Sequence, residues 1–70
     1  MLVRELIERL GGATAVATAC NLPPVTVRMW AVRDRVAAEY HIAVWRLSEA
    51  AGVAWRPPGA EGLRLSEDAA

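Results

Sequence analysis

The sequence has no lysine and no phenylalanine, a single cysteine (Cys20) and a single histidine (His41). One cysteine excludes an internal disulfide framework, and one cysteine with one histidine cannot complete a four-ligand zinc site. No cofactor or metal is therefore expected. The longest mildly apolar run, Leu10 to Cys20, falls far short of the roughly 20 residues needed to span a bilayer. At the start, Met1-Leu2-Val3-Arg4-Glu5 carries charges where a signal peptide requires its apolar stretch. A soluble, cytoplasmic protein with no membrane partner follows as the expectation. Chemistry is also thinly represented. There is no paired-carboxylate arrangement, no Cys–His or Ser–His set with an orienting third group, and no phosphate-cradling loop beyond an isolated Gly11-Gly12. These absences argue against an enzyme and leave no small-molecule ligand evident.

What is present favours helix. Alanine, leucine and valine dominate, and three tryptophans supply most of the aromatic bulk. Seventy residues make one domain, of a size at which one core leaves only about 3–5 kcal/mol of net stability, so a partner subunit would help. Eight basic residues balance eight acidic ones, unlike a strongly basic nucleic-acid binder. The distribution is uneven, however. Arg28, Arg33 and Arg35 lie close together with only Asp34 against them, whereas Glu61, Glu67 and Asp68 lie in the tail. Exclusive use of arginine suits forked hydrogen bonding to phosphate or guanine, and equally follows from a GC-rich genome.

Leu2, Val3, Leu6, Ile7 and Leu10 repeat at helical spacing opposite Arg4, Glu5, Glu8 and Arg9, predicting a first helix stopped by Gly11-Gly12. A second short helix is predicted from about Ala13 to Cys20, with Ala13, Val16, Ala17 and Cys20 on one face. Asn21-Leu22-Pro23-Pro24 breaks the chain, and a third helix runs from about Pro24 to Val32 with Val27 and Trp30 inward. Arg33-Asp34-Arg35 reads as a polar connection to a fourth helix, about Ala37 to Ala51, ended by Gly52. On a helical wheel Val36, Tyr40, Ala43, Leu47 and Ala51 form its core stripe, with Ile42 and Trp45 on the opposite side. Residues 1–53 form the predicted domain and residues 54–70 a short irregular tail whose last residues fray. The tail offers two covers for Ile42 and Trp45: either it folds back so that Trp55 packs on the fourth helix, or Ile42, Trp45 and Trp55 lie in a dimer interface. Large aromatics favour the interface.

The informative stretch is Ala13 to Trp30, ATAVATACNLPPVTVRMW. A small residue, Ala17, stands where two crossing helices touch, Asn21 suits a tight turn, and Leu22 fills the angle. Val27 and Trp30 then close over Val16 and Cys20. This segment resembles the helix-turn-helix of lambda-repressor-like proteins, with Ala17, Leu22, Pro24, Thr26, Val27 and Trp30 at matching positions. The continuation Arg33-Asp34-Arg35-Val36-Ala37-Ala38-Glu39-Tyr40 resembles the loop and fourth helix of small Cro-like and YdaS-type regulators of phages and mobile elements. The likeness covers roughly residues 3 to 53. Asn21 stands for the usual glycine, and Pro23 for the usual Ser or Thr cap.

The resemblance implies an all-α, four- to five-helix lambda-repressor-like domain that binds double-stranded DNA as a homodimer and regulates transcription, as a repressor in the first instance. It places Pro24, Val25, Arg28 and Met29 at base edges in the major groove, with Arg28 forking to guanine and Val25 and Met29 meeting thymine methyls. Arg33, Arg35 and Thr14 fall to the phosphates, and Thr26 is a weaker candidate for the same role. The competing reading is a helix-turn-helix fold serving as a protein-interaction module, an antitoxin or assembly adaptor, favoured by the neutral charge and the apolar Val25 and Met29.

Overall fold

The computed structural model describes residues 1–59. Glu61, Leu63, Leu65, Glu67 and Asp68, and the expectation of a fraying end, lie outside them. Helices α1 (Val3–Arg9), α2 (Ala13–Cys20), α3 (Pro24–Arg33) and α4 (His41–Ala51) follow one another, with a 3₁₀ turn at Ala38–Tyr40 leading into α4. The protein is all-α, and no strand occurs among the described residues.

The helices stop for one shared reason. After each, a residue with positive φ turns the backbone back, and two N–H groups bond to carbonyls of the last turn. Gly11 (φ 108°), Asn21 (58°), Asp34 (54°) and Gly52 (71°) hold these positions. The paired bonds run from Gly11 N to Glu8 O and Gly12 N to Ile7 O, and from Asn21 N to Thr18 O and Leu22 N to Ala17 O. They recur from Asp34 N to Ala31 O and Arg35 N to Trp30 O, and from Gly52 N to Glu49 O and Val53 N to Ser48 O. The starts are different, because no helix carries a side-chain cap from its own N-cap residue. For α3 this matches the expectation raised by Pro23; Pro24 sits at the first turn, where its missing N–H leaves no orphan donor.

Leu6 and Ile7 of α1, Val16 and Ala17 of α2, Val27 and Trp30 of α3, Val36 of the loop and Val44 of α4 form one core. The tight α2–α3 turn is built around Ala17, which is buried and whose carbonyl receives the Leu22 N–H at 2.8 Å. Leu22 packs against the core from the turn. The Trp30 ring closes the far end, tilted against Tyr40 with centroids 5.7 Å apart.

The fourth helix keeps part of its expected stripe, with Val36 buried and Tyr40 and Leu47 packed against the core, but its fully buried seam is rotated from it. Val44, Trp45 and Ser48 are its buried residues, while Ala43 and Ala51 are exposed. A wheel drawn unbroken from Val36 takes residues 38–40 as α-helix, but they form a 3₁₀ turn and α4 begins only at His41. Ala37 is also extended (ψ 135°), so the wheel is broken before α4 and its phase is set by packing; the fully buried seam falls one residue later, at Val44 and Ser48. Trp45 is only 3% exposed within the single chain, so it offers almost no surface to a partner. Its indole Nε1 is buried with no hydrogen-bond partner among the described residues.

Candidate nucleic-acid interface

The face of α3 turned away from the core carries three of the six large hydrophobic side chains exposed among the described residues. Val27 and Trp30 point inward, which at 3.6 residues per turn sends Val25, Arg28, Met29, Val32 and Arg33 outward along one stripe. Val25 is 58% exposed, Met29 39% and Val32 76%, and Arg28 and Arg33 are exposed beside them. Pro24 and Thr26 are half-buried at the helix start, and Thr14 is exposed in the first turn of α2. The structure thus gathers Val25, Arg28, Met29 and Arg33 on one helix face, with Arg35 exposed just past its end.

The loop that carries Arg35 is tied down at three consecutive residues. Asp34 Oδ1 accepts the Val3 N–H at 2.9 Å, a contact across 31 residues that gives α1 the cap its own Leu2 cannot provide. The Arg35 N–H bonds to Trp30 O at 3.1 Å. His41 Nε2 donates to Val36 O at 2.9 Å. The Arg35 side chain springs from a backbone that is fixed on both sides, which lowers the ordering cost of any contact it makes. The side-chain hydrogen bonds of the described residues belong to Asp34, His41 and Ser48. None engages Arg28, Arg33 or Arg35, so no described residue occupies their guanidiniums.

Two residues of this surface escaped the sequence reading. Val32 extends the stripe one turn beyond Met29, and its position seven residues after Val25 is the signal that marks it. Asp34, read as the charge opposing the arginines, is an anchor; its tolerance of positive φ between Arg33 and Arg35 is the clue.

The residues assigned to a dimer contact separate. Ile42 is 52% exposed and Trp45 is buried. Trp55 is half-buried, packs against the core and sits edge-on to His41 with ring centroids 6.3 Å apart. Residues 53–57 fold back on the helices, with Pro57 also buried.

Among the described residues no group of three His, Cys, Asp or Glu side chains is placed to hold a metal, and no helix is long and apolar enough to cross a membrane. Cys20 is half-buried, and desolvation pushes its thiol above the ordinary value. No family model, curated protein or solved structure matches the chain.

Proposed function

We propose that the protein is a sequence-specific double-stranded DNA-binding regulator of transcription, of the lambda-repressor and Cro type, that reads the major groove with α3. The observation that carries the proposal is the α3 stripe itself. A short helix held to its neighbour by a three-residue turn presents Arg28 between Val25, Met29 and Val32. An exposed guanidinium there forks to guanine O6 and N7, and the aliphatic neighbours meet thymine methyls. Arg33 and Arg35 neutralise phosphates at the end of the helix, on a loop whose backbone is already ordered. Thr14 adds a hydroxyl contact from the start of α2. One copy makes few phosphate contacts, so two copies bind a two-fold site with recognition helices about 34–36 Å apart. Repression, by occupying an operator, is the simplest action for so small a domain.

Selection from a pool of random duplexes tests this, comparing the natural protein with Arg28→Ala. A two-fold symmetric site should be enriched, and the variant should relax a guanine position by about 1–3 kcal/mol. No enrichment would sink the regulator reading.

A second reading rests on the same stripe. Val32 at 76% exposure and Val25 at 58% make an apolar surface on a chain of zero formal net charge, which also suits a protein-interaction module such as an antitoxin or assembly adaptor. Salt separates the two, because phosphate binding weakens steeply as salt rises.

A further inference from the structure

A half-open cleft of about 570 Å³ lies where the loop after α3, the start of α4 and the returning segment after Gly52 meet. Arg35, Arg56, His41, Trp55, Val36 and Asp34 are among its walls. The volume falls within the range of about 300–1,000 Å³ in which small-molecule sites are found. Its chemistry is mixed in a particular way. Two arginines, both exposed, border one space with a half-buried tryptophan. The single carboxylate on the wall, Asp34, holds the Val3 N–H with Oδ1 and keeps its charge, so two guanidiniums stand against one carboxylate. His41 spends Nε2 on Val36 O and sits edge-on to Trp55, so the two aromatic walls hold each other in place.

We propose that this cleft binds a small planar aromatic anion, with the guanidiniums of Arg35 and Arg56 on its carboxylate or phosphate and its ring against Trp55. Guanidinium forks match both anionic heads, and arginine favours them over a bare cation because two parallel N–H groups fit two oxygens. The flat indole supplies apolar area for the ring at low entropic cost. The regulatory consequence rests on the DNA-binding reading: Arg35 serves both the cleft and the duplex, so a ligand that engages it weakens duplex binding. By linkage the duplex weakens the ligand equally.

The three tryptophan indole N–H signals in a nitrogen-15 spectrum of the full chain report the site without DNA, with Trp55→Phe identifying one of them. Adenosine 5′-monophosphate and indole-3-acetate are the probes, and uncharged adenosine the control. The Trp55 signal should move saturably with at least one anion and not with adenosine. Arg56→Ala should weaken that binding about tenfold or more, the loss of one charge-assisted contact, and leave duplex binding of the unliganded protein unchanged. Response to the nucleotide alone assigns a phosphate head, and response to the acid alone a carboxylate head. No shift at millimolar probe, or a shift indifferent to Arg56→Ala, would overturn the proposal. Ligand binding with undiminished duplex affinity would overturn the competition. Ligand binding by a protein that binds no duplex would instead remove the DNA reading and leave the cleft standing.

Discussion

Replacing Asp34 probes the link between the arginine loop and the rest of the fold. Its carboxylate accepts the Val3 N–H at 2.9 Å, and its backbone sits at φ 54°. Asp34→Ala removes both supports. Losing a helix cap costs about 1 kcal/mol, and an alanine held in the left-handed region costs about another 1 kcal/mol, for a total near 2 kcal/mol. A domain of this size has only about 3–5 kcal/mol in hand, so the melting temperature should fall by roughly 8–16 °C. Two further variants separate the causes. Asp34→Gly relieves the backbone but still lacks the cap, and should lose about 1 kcal/mol. Asp34→Asn keeps an acceptor oxygen and tolerates the left-handed region, and should lose less than about 0.5 kcal/mol. Urea unfolding followed by circular dichroism gives all three values. An asparagine variant as unstable as alanine, or a glycine variant as stable as the natural protein, would refute the capping argument.

Other perturbations follow from the same contacts. Leu6 is fully buried, so Leu6→Ala should cost about 2–5 kcal/mol and leave the chain largely unfolded in thermal denaturation. Ser48 is also fully buried and donates to Val44 O within its own helix at 2.9 Å; Ser48→Ala should change urea stability little, because it deletes the donor itself and leaves Val44 O to the helix's own backbone bonding, whereas Ser48→Leu should lose about 1–3 kcal/mol by overpacking. With its thiol pushed up by burial, Cys20 carries less thiolate at any given pH than a free cysteine. Its reaction with an aromatic disulfide at pH 8 should therefore be slower than that of a free cysteine, and the rise in rate should come at higher pH. A rate equal to that of free cysteine would count against the burial.

The stops of the helices were legible because Gly11-Gly12, Asn21 and Gly52 announce positive φ directly. The core of the first three helices was legible too, since Val3, Leu6 and Ile7, Val16 and Ala17, and Val27 and Trp30 recur at helical spacing. The α3 surface follows as the complement of that core. What periodicity could not supply was the start of α4. Ala38-Glu39-Tyr40 suits either an α or a 3₁₀ turn, and the choice depends on tertiary contacts such as Tyr40 against Trp30 and His41 reaching Val36. The resulting one-residue shift put Trp45 inside and left Ile42 out. The Asp34–Val3 contact spans 31 residues, beyond the reach of any local pattern; the return of Trp55 to the core was one of two readings the sequence offered, and only tertiary packing chooses between them.

The DNA-binding proposal places the outward face of α3 on the duplex. Amide chemical-shift mapping of the labelled protein with a short duplex, repeated at two salt concentrations, reads that contact residue by residue. Shifts should concentrate at Val25, Arg28, Met29 and Val32 through Arg35, with a smaller set near Thr14, and should fade as salt rises. Shifts confined to another surface, or binding at the α3 face that is indifferent to salt, would contradict it.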